Sequence, residues 1–119
     1  MILAVLDDLM FMSKIRSAAG AIGLDVRFAK SSAHALADVR AQQPALVIVD
    51  LDNPRTDPIA TIAAIKQDAA VAGVPTLGFV SHVHADLVEA ARRAGADQVL
   101  ARSAFAAQLP EILAHTRHT

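Results

Sequence analysis

Apolar residues in this chain follow two alternating periodicities. The run ILAVL (2–6) is continuous and predicts a strand. Residues 10–22 place Phe11, Ile15, Ala18 and Ile22 at helical spacing, and Gly23 stops that helix. LDVRFA (24–29) puts Leu24, Val26 and Phe28 on one side, the mark of a half-buried strand. Ser31 or Ser32 caps a second helix running to about Gln42, which Pro44 ends. LVIVD (46–50) reads as a third strand, apolar on both faces. Residues 58–69 predict a helix, with Pro58 tolerated in the first turn and Ile59, Ile62 and Ile65 along one side. PTLGFV (75–80) is a fourth strand, and helix 84–94 after it ends at Gly95. DQVLA (97–101) is a fifth strand. The last helix, 103–116, turns Phe105, Leu109, Ile112 and Leu113 inward. The polar tail HTRHT (115–119) is expected to fray.

Five β–α pairs in succession predict an α/β fold, a five-stranded parallel sheet covered by helices on both faces. No linker, repeat or low-complexity tract interrupts 1–119, so one domain is expected. Composition then narrows the core: hydrophobic residues are 54% of the chain and aromatic ones 3%, so the interior is aliphatic. A net charge of −1 leaves no electrostatic footprint for nucleic acid or an anionic membrane. The absence of cysteine excludes disulfides and thiolate metal sites. The opening MILAVL is too short for a membrane span and lacks the basic flank of a signal peptide. The expectation is a cytoplasmic domain.

Ligand sites of open parallel sheets lie beyond the carboxyl ends of the strands. Those ends carry Leu6, Asp7 and Asp8; Asp50 and Asp52; Val80, Ser81 and His82; Arg102 and Ser103. The turn LDDLMF contains no glycine, which argues against a nucleotide-binding loop. Carboxylates from strands one and three repel unless a cation joins them. Hard oxygen ligands favour a magnesium-like ion, and Arg102 offers a guanidinium instead. An aspartate beside a cation can also act as a nucleophile toward a phosphoryl donor. Plainer roles compete with these. Asp50 can close a strand at the surface, Asp7 or Asp8 can cap the first helix, and Asp52 is expected to shape the DNP turn rather than bind with its side chain.

At this point the chain resembles a response-regulator receiver domain, the phospho-acceptor module of two-component signalling. ILAVLDD resembles that family's first strand and acidic turn. LVIVDLDNP resembles its acceptor strand, VPTLGFVS its fourth strand, and RRAGADQVLARSAF the passage from helix four into helix five. The resemblance spans the whole chain and implies a flavodoxin-like sheet in the order 2-1-3-4-5. It places the phospho-acceptor on Asp50. Of the two acids at the end of strand one, the first position holds Leu6 and the second Asp7, with Asp8 a third position that is often acidic. Asp7, Asp50 and the backbone carbonyl of Asp52 would then hold a magnesium ion, with Asp8 beside them.

Other family positions are altered. The switch hydroxyl position holds Val80, and Ser81 replaces it only if the strand end bulges. The lysine position holds Arg102, a longer planar fork. The following proline is Ser103, which does not favour a cis peptide, and the aromatic switch position is Val99. The resemblance therefore implies a divergent receiver or pseudo-receiver. In it, an Arg102–Asp50 or Arg102–Asp7 pair replaces the cation and Mg2+ binding is weak or lost.

A competing string, HVHAD (82–86), resembles the ligand turn of metallo-β-lactamase-type hydrolases, with His82, His84 and Asp86 as zinc ligands. Leu87 stands where that pattern needs another histidine, and the chain is too short for that fold. His34, His115 and His118 read as solvated. The chosen reading is a non-enzymatic signalling module whose partners are a histidine kinase, a phosphotransfer protein or a separate output protein. No output domain is expected after residue 116. Helix 84–94, strand 97–101 and helix 103–116, with Ala90, Ala94, Ala106 and Ala107, form the face expected to support contacts or a homodimer.

Overall fold

The apolar run at 46–50 forms a strand in which every residue is buried, and its neighbours on either side are equally sealed. A computed structural model of the chain describes residues 1–81 and 84–116. Five strands, β1 (Ile2–Val5), β2 (Val26–Ala29), β3 (Leu46–Asp50), β4 (Thr76–Val80) and β5 (Gln98–Ala101), form one sheet in the order β2-β1-β3-β4-β5. All four pairings are parallel. The intervening helices are α1 (Leu9–Ala21), α2 (Ser32–Gln42), α3 (Pro58–Gln67), α4 (Ala85–Ala94) and α5 (Arg102–Thr116).

Strand side chains alternate between two helical layers. Ile2, Ala4, Ile48, Leu77 and Phe79 pack against Phe11, Ile15 and Ala19 of α1 and against Phe105, Leu109 and Leu113 of α5. Leu3, Val5, Val47, Val49 and Val80 pack against α2, α3 and α4 through Val39, Ile62, Ile65 and Ala91. Both faces of the sheet are therefore covered, as the continuous apolar strands require.

The boundaries differ from the sequence expectation in explicable ways. β2 starts two residues late, because Leu24 N–H turns back to the Ala19 carbonyl and closes the end of α1. α3 ends at Gln67, since Asp68 leaves the helix and accepts from the Ala70 N–H. α5 follows β5 with no loop, so Arg102 opens the helix one residue earlier than expected. An unanticipated 3₁₀ turn, Pro54–Thr56, follows β3; Asn53 caps it and Pro54 occupies its first position.

Two glycines fix the local geometry. Gly78 lies in β4 opposite Leu51, whose Cδ1 would stand 2.9 Å from a Cβ added there. Gly95 ends α4 at φ 106°, against the Lys66 stem. The Lys66 ammonium in turn ties α3 to the carbonyls of Ala72 and Val74 and to Asp97. No described helix is long and apolar enough to cross a membrane.

Candidate functional site

The carboxyl ends of β1 and β3 lie side by side, with Val5 paired to Val49, so the acids that follow them meet. Asp8 caps α1, its carboxylate accepting from Met10 N–H at 2.9 Å and Phe11 N–H at 3.3 Å. Asp7, Asp8, Asp50, Asp52, Asn53, Pro54, Arg55 and Arg102 line one open crevice of about 370 Å³.

Asp50 is only 4% exposed. Its Oδ1 accepts from the Asp52 N–H at 3.0 Å and from Arg102 Nη2 at 3.3 Å. Burial pushes its carboxyl above the ordinary range, against the pull of the Asp52 N–H and the Arg102 charge. Arg102 Nη2 also reaches Asp52 Oδ2 at 3.0 Å, and Nη1 lies 3.6 Å from Asp8 Oδ2. The guanidinium rests over the rings of Phe11 and Phe79, 4.8 and 5.2 Å from their centroids. Those rings and Phe105 form one stack, with Phe79 and Phe105 4.6 Å apart.

The Asp52 side chain does more than shape the turn, which corrects the sequence expectation. It accepts from Arg102, from the Ser81 N–H at 3.0 Å, and lies 2.8 Å from His84 Nδ1. Burial opposes its ionisation, but those donors outweigh burial and hold its carboxyl below the ordinary range. Ser81 thus enters the site through its backbone N–H. Val80 is sealed into the α2–α3–α4 layer and Leu6 into the α1–α5 layer. Where the resemblance expects polar groups, the chain has core residues.

The expected Arg102–Asp7 pair is absent, because Asp7 has another partner. Arg55 holds it with a fork: Nε donates to Oδ2 and Nη2 to Oδ1, each at 3.0 Å. Asn53 Nδ2 donates to the same Oδ1 at 2.6 Å. The Arg55 hydrogen bonds, with help from Asn53, hold the Asp7 carboxyl below the ordinary range. Sequence reasoning passed over Asn53 and Arg55. Charge counting would have found Arg55, the one basic residue between Arg40 and Lys66, among three carboxylates, Asp50, Asp52 and Asp57.

The magnesium ligands implied by the resemblance are the Asp7 and Asp50 carboxylates and the Asp52 carbonyl. In this arrangement they do not fit the ion. Both Asp7 oxygens and the Oδ1 of Asp50 already face N–H donors. Among the described residues, no three His, Asp or Glu side chains are gathered to hold a metal. Of the zinc string, His84 is engaged with Asp52 and Asp86 lies in the first turn of α4, while His82 falls outside the described residues.

The family model for the response regulator receiver domain matches residues 2–114. No curated protein matches the chain. The fold is similar to that of the receiver domain of NtrX from Brucella abortus, at 23% identity and TM-score 0.81, over 100% of this chain and 99% of that one. It is also similar to the receiver domain of the sensor histidine kinase PA1611 from Pseudomonas aeruginosa, at 20% identity and TM-score 0.83, over 99% and 97%. A response regulator from Hahella chejuensis matches at 21% identity and TM-score 0.84, over 97% and 92%.

Proposed function

The chain belongs to the response regulator receiver domain family, and from that premise we propose that it is a contact-making, non-enzymatic module of a two-component phosphorelay whose Asp50 occupies the acceptor position of a degenerate site. The observation that carries this reading is Arg102, whose guanidinium bridges Asp50 and Asp52 while lying over Phe11 and Phe79. The structure of the PA1611 receiver domain has a magnesium ion coordinated in its active site cleft. Here two guanidinium groups supply positive charge to the carboxylates. With Arg102 already seated on Asp50 and Asp52, a phosphoryl group and its metal would have to displace it, so the domain signals without phosphorylation.

The partners that suit this reading are a histidine kinase, a phosphotransfer protein or a separate output protein. Leu9 and Met10, exposed on the first turn of α1 beside Asp8, suit an apolar contact at the crevice rim. The face made by α4, β5 and α5 suits a second contact or a homodimer. Intact-mass analysis after incubation with acetyl phosphate and Mg2+ tests the reading. The expected result is an unmodified chain. Stoichiometric phosphoryl uptake that Asp50→Asn abolishes would overturn it.

A further inference from the structure

We propose that Arg55 is a built-in competitor for a divalent cation, its guanidinium occupying the two Asp7 oxygens that a metal ion would need. The proposal rests on the reading of Asp7 and Asp50 as the receiver's acid pair, and the geometry of Arg55 itself supports it. Its fork engages Asp7 Oδ1 and Oδ2 at 3.0 Å each, the arrangement in which a guanidinium best satisfies a carboxylate. Asn53 sets up the meeting. Its Oδ1 accepts from the Arg55 N–H at 3.0 Å, while its Nδ2 donates to Asp7 at 2.6 Å. One buried amide thus orients the cation and its carboxylate together.

Arg55 and Arg102 differ in how firmly they are held. Arg102 has a side chain 31% exposed, sits on two rings and reaches three carboxylates. Arg55 has a side chain 75% exposed and a single carboxylate partner. It can swing into solvent without breaking the core, whereas Arg102 cannot. When it leaves, the crevice keeps four carboxylates against one guanidinium, and Asp7 stays oriented by Asn53 with its Oδ2 uncovered. That state has the hard oxygen donors and excess negative charge that favour a small divalent cation. Metal entry and the Arg55–Asp7 pair are mutually exclusive.

The chain has no Trp or Tyr, so binding is read by calorimetry with Mg2+ and by broadening of amide resonances with Mn2+. Because Arg55 is exposed, its variants should keep the native circular dichroism spectrum. Arg55→Ala should bind Mg2+ about tenfold more tightly than the native chain, the scale set by losing one well-formed charge pair. Mn2+ should broaden the amides of Asp7, Asp52 and Asn53 in Arg55→Ala at concentrations that leave the native chain sharp. Arg55→Lys, which keeps the charge but not the fork, should fall between, and adding Asp7→Asn to Arg55→Ala should abolish the binding. Equal affinity in the native chain and Arg55→Ala, no binding in Arg55→Ala, or binding that survives Asp7→Asn would each overturn the proposal. Acetyl phosphate uptake by the native chain would sink the degenerate-site reading alone, because tighter Mg2+ binding by Arg55→Ala would still uphold the competitor.

Discussion

Asp50 is an acid that the fold holds in partial conflict with its own charge. Burial lifts its carboxyl above the ordinary value of 3.8, so ionisation costs more in the folded chain than in the unfolded one. Asp50→Asn keeps an oxygen for the Asp52 N–H and for Arg102 and removes that penalty. At neutral pH it should raise the thermal midpoint followed by circular dichroism. The penalty is complete above the folded-state pKa and disappears as pH falls through it. The advantage of Asp50→Asn should therefore shrink on acidification towards 3.8. Arg102→Met should have the opposite effect, leaving Asp8, Asp50 and Asp52 to repel one another without their shared cation. A loss of about 2 kcal/mol is expected in denaturant unfolding. The double variant with Asp50→Asn should be more stable than the sum of the two single effects, because Asp50 costs more once its cation is gone; strict additivity would refute the coupling. Asp50 and Arg102 were legible because each ends an apolar run. The partnership of Arg55 with Asp7 was not, because a loop residue has no periodicity and 48 positions separate the two.

Most elements could be read before the structure, because the three central strands are nearly continuous apolar runs, β2 alternates apolar with polar, and the helices carry apolar stripes. The termini were less legible. A helix end depends on which carbonyl finds a donor, as at Leu24 and Asp68, and spacing does not report that. The 3₁₀ turn Pro54–Thr56 was invisible for a similar reason, since three residues are too few to show a period. Yet this element carries Arg55. Gly78 shows how tightly the neighbouring elements are set. Its β4 backbone meets Leu51, which is 2% exposed and immediately follows Asp50. Gly78→Ala would drive a methyl into Leu51 Cδ1, with Cγ and Cδ2 at 3.0 and 3.2 Å behind it. The expected cost is about 1–3 kcal/mol in chemical denaturation. Amide shifts should concentrate at 50–53, and a change confined to β4 would show that the turn is not braced there.

At the scale of the molecule, two covered layers leave the crevice at one end of the sheet and the α4–β5–α5 face at its side. If the crevice is already compensated by Arg55 and Arg102, the assembly state should ignore phosphoryl donors. Sedimentation velocity should return the same coefficient with and without acetyl phosphate and Mg2+, whether or not the chain self-associates. A donor-dependent increase, lost in Asp50→Asn, would mean that the crevice controls assembly after all. The stacked rings bear on how such motions would be seen. Phe11 comes from α1, Phe79 from β4 and Phe105 from α5, so a single aromatic column joins three separate elements. Protons of the Arg102 guanidinium, lying over two of those faces, fall in the shielding zone of their ring currents. Their resonances should therefore lie upfield of those of a free arginine and drift downfield when the guanidinium lifts away, an intrinsic magnetic gauge in a chain without tryptophan or tyrosine.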